Sequence, residues 1–265
     1  MYAFDYQRPA SVDAAVKATE GTDARYLAGG QSLVQAMKLR LSSAERLIDL
    51  GAIAALRAIS VSATHVTVGA MARHAEVAAS ADVRRAIPAL AELAGGIGDQ
   101  MVRNLGTMGG SLANADPAAC YPAAVLGLGA TIRTNKREIA GDDFFKGLYE
   151  TALQPGELIT AVSFPIPQRA AYVKYKQPAS RFALVGVMVS QSAQGVRVAV
   201  TGARACAFRV PELEKALSAS FSAGAAASVK LSPAGMNTDL HGTAEYRAAM
   251  VVVMAKRAVE AALAR

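Results

Sequence analysis

The sequence has no tryptophan, only two cysteines and only three histidines among its 265 residues. Cys120 and Cys206 are too few for a disulfide framework, and they cannot supply the four thiolates that an iron–sulfur cluster usually needs. The histidines lack the spacing of metal ligands. We expect each to be a surface histidine or one with satisfied hydrogen bonds; they are His65, His74 and His241. These absences argue against a disulfide scaffold and against a metal or cluster site in this chain.

Long hydrophobic runs and targeting signals are lacking as well. The first six residues do not show the charged and then apolar pattern of a secretory signal. The apolar run at residues 248–255 is too short to span a bilayer. Hydrophobic residues nevertheless make up 52% of the chain, which is enough for a sizeable core. We therefore expect a cytoplasmic protein with no membrane span.

Acidic residues are fewer than basic ones, 21 against 28, so the net charge is +7. Such a balance can indicate nucleic acid or a membrane surface as a partner. The basic residues are scattered, however, and neither an RNA-binding aromatic signature nor zinc-finger spacing is present. We interpret the charge as solvated surface that suits an acidic partner protein, and we expect no nucleic acid. A basic binding or assembly module without a cofactor is a distant alternative.

Glycine is plentiful, and it concentrates in two separate segments that also carry short polar residues. One reads AGGQSL at residues 28–33, and the other reads RNLGTMGGSLANADP at residues 103–117. Glycine lets the backbone adopt positive φ and approach a ligand closely, and successive exposed N–H groups form a concave anion site. Either segment alone is more typical of an ordinary turn. The pair favours an anion site.

Local patterns place these segments between regular elements. A short strand near Tyr26 runs into the first segment, and Ser32 is expected to cap the helix that follows. The second segment is predicted as a loop between two helix-like stretches. After Pro167 the composition changes, with three predicted strands at residues 172–176, 183–190 and 196–200. Pro211 suits the first turn of a helix, and residues 243–264 form a long one.

The ligand of the two segments is constrained by the motifs that they lack. Neither segment reads G-x-G-x-x-G, which disfavours a Rossmann dinucleotide fold, and neither continues into the Lys-Ser or Lys-Thr of a Walker loop. Two N–H-rich segments far apart in the chain can clamp two phosphates from opposite sides. An extended dinucleotide fits this arrangement better than a mononucleotide.

The two segments in this order resemble the medium, FAD-binding subunit of molybdenum hydroxylases, the family of xanthine dehydrogenase and carbon monoxide dehydrogenase. The resemblance covers nearly the whole chain. It begins at Phe4, continues through YVKYK at residues 172–176 and FALVGV at residues 182–187, and ends with DLHGTAEYR at residues 239–247.

The resemblance implies an α+β fold in two parts. A two-subdomain FAD-binding fold of the vanillyl-alcohol-oxidase-like type would occupy residues 1–166, divided into an N-terminal α/β subdomain at about 1–55 and a second subdomain at about 56–166. A small α/β C-terminal domain with a three-stranded antiparallel sheet would occupy residues 167–265.

It also implies which residues contact the cofactor. The first segment would hold the pyrophosphate, and the second would form the opposing wall and reach the flavin end. The predicted contacts are Ala28, Gly29, Gly30, Gln31, Ser32, Leu33, Val102, Gly106, Thr107, Gly109, Gly110, Ser111, Asn114, Asp116, Ile159 and Lys176. Lys174 is an alternative to Lys176 near the flavin, and Tyr172 or Tyr175 would cover a ring face. Each has a plainer interpretation: Ser32 as a helix cap, Asn114 and Asp116 as turn residues before Pro117, and Ile159 as a core strand residue.

One position departs from the family pattern, since Cys120 stands where related subunits often carry an aspartate that contacts the nucleotide. A small buried hydrophobic role suits Cys120 equally well.

The function implied is electron transfer by FAD, with no general acid, base or nucleophile on this chain. A small subunit would carry two [2Fe-2S] clusters and a large subunit the molybdenum cofactor, in a heterohexamer made of two three-chain units. The alternative is a stand-alone FAD-dependent oxidoreductase of the same fold. The sequence names neither the substrate nor the electron acceptor.

Overall fold

The computed structural model describes all 265 residues. Its first part is a three-stranded parallel sheet in the order β1-β3-β2. The elements in chain order are β1 (Asp5–Gln7), α1 (Val12–Lys17), β2 (Ala24–Leu27), α2 (Leu33–Lys38) and β3 (Arg46–Asp49), followed by 3₁₀ turns at Leu50–Ala52 and Ala54–Arg57. Ser11 starts α1 by accepting a hydrogen bond from the Ala14 N–H. Ala15 and Ile48 lie in the small core beneath this sheet.

The second part is a five-stranded antiparallel sheet in the order β4-β5-β10-β6-β7. Its elements are β4 (Ile59–Val61), β5 (His65–Gly69), α3 (His74–Ala79), α4 (Ala81–Ala86), α5 (Pro88–Gly95), α6 (Gln100–Leu105), α7 (Met108–Asn114), α8 (Tyr121–Leu128), β6 (Thr131–Thr134), β7 (Glu138–Ala140), α9 (Gly141–Phe144), the hairpin β8 (Phe145–Gly147) and β9 (Glu150–Thr151), and β10 (Ile159–Pro165). The last strand, β10, lies at the centre of the sheet. The pairs β4-β5 and β6-β7 are therefore joined into one sheet only when residues up to 165 are present.

The third part contains four antiparallel strands, where three were predicted. Its elements are β11 (Arg169–Lys176), β12 (Ala183–Ser192), β13 (Gly195–Thr201), β14 (Phe208–Arg209), α10 (Pro211–Ala219), α11 (Ala223–Ala227) and α12 (Ala244–Leu263). The fourth strand, β14, has two residues, which is too short to show an alternating pattern. The predicted Pro211 helix and the long C-terminal helix are confirmed.

The helix α8 lies between the second and third parts. All eight of its residues are buried, which is typical of a helix that is apolar on every side. The third part covers it directly, since Ser190 Oγ donates to the Gly127 carbonyl and Arg197 Nε donates to the Leu126 carbonyl. A Cβ on Gly127 would lie 2.5 Å from Met188 Cγ. The two parts therefore share packing through this helix.

The C-terminal stretch at residues 239–247 has a structural role. Arg247 is 3% exposed and donates to the carbonyls of Leu184 and Gly202 and to both carboxylate oxygens of Asp239. Because a buried cation needs such partners, this cluster fixes the start of α12 against the sheet. With 20 residues α12 is the longest helix, and no helix combines the length and apolar character needed to cross a bilayer.

Candidate functional site

The first glycine segment leaves its backbone N–H groups free. None of the five N–H groups from residue 29 to residue 33 donates to another protein atom. Gly30 has φ of +70°, a conformation that glycine adopts without strain. Ser32 occupies the N-cap position of α2, but its hydroxyl makes no cap bond, contrary to the expectation. Its backbone is in the αR region instead of the usual extended conformation of a cap residue, so the hydroxyl remains available.

The second segment is helical where a loop was predicted. The helices α6 and α7 meet at Gly106 and Thr107, and Gly109, Gly110 and Ser111 all lie within α7. The Thr107 hydroxyl is the N-cap and accepts from the Gly110 N–H. The low helix propensity of glycine is overridden here by this cap and by tertiary hydrogen bonds.

Those tertiary bonds tie α7 to the end of β5. The Met108 N–H donates to Ala72 and the Gly109 N–H to Ala70, while the Gly106 carbonyl accepts from the His74 N–H. Of the N–H groups from residue 106 to residue 111, only that of Thr107 has no acceptor in the protein. Thr107 is 4% exposed. A buried N–H without a partner is rare in proteins, so this group is a candidate donor to a ligand.

The two segments lie in direct contact, which the predicted clamp from opposite sides of a ligand did not include. A Cβ on Gly29 would lie 2.1 Å from the Leu105 carbonyl oxygen, and a Cβ on Gly110 would lie 3.3 Å from Ala28 Cβ. The predicted reason for the glycines is therefore incomplete. Gly29 and Gly110 allow the two segments to approach each other, in addition to any approach of a ligand.

Two further glycines are explained by packing within the protein. A Cβ on Gly106 would lie 2.5 Å from His74 Nε2, and a Cβ on Gly109 would lie 2.6 Å from Ala70 Cβ. Both residues are thus needed to seat the junction of α6 and α7 against the β5–α3 connection.

The polar residues at the end of α7 differ in their bonding. Ser111 and Asn114 are half-buried, and neither side chain makes a hydrogen bond within the protein. Asp116 Oδ1 accepts from the Ala118 N–H at 2.8 Å, which is the predicted turn role. Its carboxylate also faces Tyr149 and, by its charge, raises the pKa of that phenol. Asp116 therefore has a structural partner, whereas Ser111 and Asn114 remain free to bind a ligand.

The residues predicted at the flavin end differ in how far they are exposed to solvent. Val102 lies on α6, half-buried beside Gly98. Ile159 is 3% exposed and packs in the core of the second part, which matches its plainer interpretation. Lys176 is exposed at the end of β11.

The alternative residues named for the flavin end, Lys174, Tyr172 and Tyr175, mostly contact other protein groups. Lys174 Nζ donates to the carbonyls of Gly96 and Arg181 and to Cys120 Sγ. The Tyr172 hydroxyl is buried without a partner, and Tyr175 is 39% exposed beside Tyr246. Of the two lysines, only Lys176 is free of protein partners.

His74 is the site residue that sequence reasoning missed. It was expected to be a surface histidine or a satisfied one, but it is 5% exposed and its Nδ1 has no partner. Burial and the nearby Arg103 lower its pKa to about 4. The imidazole is therefore neutral at pH 7, directly beneath Gly106. Its ring packs against Tyr121, whose hydroxyl is also buried without a partner.

The chain matches known proteins over its whole length. The family model described as "FAD binding domain in molybdopterin dehydrogenase" matches residues 2–167. The carbon monoxide dehydrogenase medium chain of Afipia carboxidovorans is 36% identical, with 99% of this chain and 98% of that relative covered. The nicotine 6-hydroxylase medium subunit of Paenarthrobacter nicotinovorans is 34% identical over the same shares.

Solved structures agree with the sequence relatives. Reconstituted CO dehydrogenase from Oligotropha carboxidovorans superimposes with a TM-score of 0.91 at 34% identity, covering 100% of this chain and 99% of that chain. The mixed α/β fold is thus the fold of these enzymes. With its glycine segments and their free N–H groups, the chain belongs to the family of FAD-binding medium subunits of the molybdenum hydroxylases.

Proposed function

We propose that this chain holds FAD with its pyrophosphate on the free N–H groups of residues 29–33, next to the junction of α6 and α7. The observation that carries the proposal is the run of five unpaired N–H groups in van der Waals contact with the segment that holds the buried, unpaired N–H of Thr107. Such concave arrays of N–H groups bind anions, and a pyrophosphate offers acceptors to both segments.

Side chains around this array complete the predicted contacts. Ser32, Ser111 and Asn114 present polar groups without protein partners, so they can donate to phosphate or ribityl oxygens. Val102 and Gly106 would lie nearer the flavin. Ile159 and Lys176 stay predictions, since Ile159 is already packed in the core and Lys176 is exposed to solvent.

The chain's role in the complex is to bind FAD and to relay electrons through it. FAD supplies the redox chemistry, because a cofactor accepts electrons in ways that amino-acid side chains do not. The electrons would arrive from [2Fe-2S] clusters on a small partner subunit and leave to an external acceptor. A large subunit with the molybdenum cofactor would hydroxylate the substrate. The names of the relatives, medium chains and medium subunits, support this division.

We further propose a heterohexamer of two three-chain units in the cytoplasm. For the chain itself we propose a FAD-binding domain over residues 1–166, of the vanillyl-alcohol-oxidase-like type, with subdomains at about 1–55 and 56–166, and a C-terminal domain over residues 167–265. The separate three-stranded and five-stranded sheets support the subdomain division.

A glycine substitution tests the pyrophosphate site. A Cβ at Gly110 would lie 2.9 Å from Thr107 Oγ1 and 3.3 Å from Ala28 Cβ, so Gly110→Val should push the two segments apart and expel FAD. We expect the purified variant to lose most of its flavin absorbance while keeping the circular dichroism of the wild-type chain.

The matched control is Gly224→Val, because Gly224 lies in a short helix with open space around its Cβ position. This variant should keep its FAD. Full flavin content in Gly110→Val would show that the segments do not bind the pyrophosphate.

A further inference from the structure

The end of helix α2 exposes apolar side chains that the fold does not cover. Leu39 and Leu41 are 71% and 78% exposed, and Tyr2 is 57% exposed. The Arg40 guanidinium lies over the Tyr2 ring, 5.4 Å from its centroid, so these four residues form one surface. We call them, together with the exposed Lys38, the α2 patch. Single exposed apolar residues are common, but a contiguous group of them is typical of an interaction site.

The backbone at this helix end adopts a costly conformation. Arg40 has φ of +58°, and the Leu41 N–H donates to the Ala36 carbonyl at 2.9 Å, which is the bonding of a Schellman helix end. Glycine is the usual residue at the position of Arg40, because a side chain is disfavoured at positive φ. The residue at the position of Leu41 frequently packs back onto the helix, yet here it is exposed. Local stability therefore explains neither residue.

The charge of the α2 patch is positive and has no partner within the protein. Neither Lys38 nor Arg40 belongs to an ion pair of the chain. The acidic residues nearest in sequence already have partners: Asp5 with Arg46, and Glu45 with Thr22 and Asp23. An apolar surface with two free cations is complementary to an apolar surface that carries carboxylates.

The sheet topology separates the α2 patch from the glycine segments. The strands β1, β2 and β3 run parallel and begin in register. Tyr2 precedes the start of β1 and Leu41 precedes the start of β3, so the α2 patch lies at the amino ends of the strands. Residues 28–33 follow the last residue of β2, at the carboxyl ends. A strand of four residues spans about 10 Å, which sets the two surfaces apart along the sheet.

This position distinguishes between the two partner subunits of the proposed complex. The small subunit would deliver electrons to the flavin, so it must approach the flavin end near the junction of α6 and α7. That junction contacts residues 28–33, at the carboxyl ends of the strands. The amino ends, with the α2 patch, are left for the large subunit.

We propose that the α2 patch is a docking site for the large, molybdenum-cofactor subunit. Leu39 and Leu41 are its apolar anchors, and Lys38 and Arg40 face carboxylates on that subunit. This inference rests on the proposed function, because it requires the three-chain complex. It also explains why Arg40 and Leu41 stand at a helix end where glycine and a packed side chain are usual.

The first test identifies the subunit that covers the α2 patch in the assembled complex. The photoreactive residue p-benzoylphenylalanine replaces Ser43, an exposed residue two positions beyond Leu41, in the co-expressed three-subunit complex. After irradiation, the cross-linked peptides are sequenced by mass spectrometry. We expect cross-links to the large subunit. Cross-links only to the small subunit or to a second copy of this chain, or none at all, overturn the inference.

The second test measures the affinity of the full chain for the subcomplex of large and small subunits. Replacing both anchors, Leu39→Ser with Leu41→Ser, should weaken binding at least ten-fold, since buried anchors dominate such interfaces. Both side chains are exposed in the free chain, so the double variant should keep its fold and its FAD. The control is Leu263→Ser, which removes an exposed leucine at the end of α12 and should leave the affinity unchanged.

Arg40→Gly separates docking from folding. Glycine suits the positive φ at this position, so the isolated variant should unfold at the same temperature as the wild type or at a higher one. Its affinity for the subcomplex should nevertheless fall roughly five-fold, because a charge is lost from the interface. Wild-type affinity in this variant and in the double leucine variant overturns the inference. A wild-type chain that does not join the subcomplex at all overturns the proposed complex as well.

Discussion

His74 shows how a single side chain can make stability depend on pH. Its pKa is lowered from 6.5 to about 4, mainly by burial and further by Arg103. Between these two values the unfolded chain binds a proton that the folded chain does not, so stability rises with pH across this window. The difference corresponds to about 3 kcal/mol, lost as the pH falls from about 6.5 to about 4.

We predict that His74→Gln removes this part of the pH dependence. Urea unfolding at pH 7 and at pH 4 should show a smaller loss of stability in the variant than in the wild type, by about 3 kcal/mol. His65→Gln is the control, since His65 is exposed on β5. Equal losses in wild type and His74→Gln would mean that the folded state accommodates the charged imidazole.

At the scale of single residues, the two glycine segments could be predicted because each is recognised from a few consecutive residues. Three features lay outside that signal: the burial of His74, the contact of Gly29 with Leu105, and the unpaired N–H of Thr107. Each depends on residues far apart in the chain, and nothing in the neighbouring sequence specifies it. The predicted contacts at Ile159 and Lys176 stay predictions.

Among the elements, the β6–β7 hairpin depends on one buried carboxylate. Glu157 is 4% exposed and accepts from Arg137, from the Thr134 hydroxyl and from the Gln154 N–H. The Arg137 bond is the main cause that lowers the Glu157 pKa to about 2. A carboxylate with a lowered pKa stabilises the fold above the ordinary value of about 4.3, and the contribution is lost as the pH falls toward about 2.

We predict that Glu157→Gln destabilises the chain by about 1 to 3 kcal/mol at pH 7, because the neutral amide loses charge-assisted hydrogen bonds at a buried position, while Arg137, with 42% of its side chain exposed, can be solvated. The penalty should shrink as the pH approaches 2. Glu138→Gln on the same hairpin is the control, because its bridge to Arg133 is exposed and such pairs contribute about 1 kcal/mol or less. Comparable losses of stability in both variants, measured by denaturant unfolding, would show that the Glu157 carboxylate contributes no more than an exposed ion pair.

Elements with strong terminal signals were predicted well. Pro211 at the first turn of α10 and Thr243 at the cap of α12 are local features, and both helices begin where expected. The helix α7 was missed because two consecutive glycines lie in its first turn, and its stabilising hydrogen bonds go to the carbonyls of Ala70 and Ala72. The strand β14 was missed because two residues are too few to show an alternating hydrophobic pattern.

The whole molecule is joined across the predicted boundary at residue 166, which itself stays a prediction. Met188 and Ala170, from the third part, lie in the same core cluster as the residues of the second part. The Thr201 hydroxyl lies within hydrogen-bond distance of the carbonyls of Pro117 and Ala119 and donates its one proton between them. Parts that share a core in this way are expected to unfold together.

We predict a single unfolding transition for both parts. The chain has no tryptophan, so Phe145→Trp and Phe208→Trp would each give one clean fluorescent reporter, in the second and third parts respectively. Both positions are only half-buried, which leaves room for the larger ring. The two reporters should give the same urea midpoint as far-UV circular dichroism of the unmodified chain. Midpoints that differ between the reporters would show that the parts unfold independently.

The burial of α8 also has a consequence for synthesis on the ribosome. Its apolar surface is covered by β12 and β13, which are translated some 60 to 80 residues later. Domains often fold as they emerge, but here the nascent chain must carry an uncovered apolar helix until residue 201 has left the exit tunnel. The order of the elements therefore predicts that a chaperone binds the nascent chain during that interval.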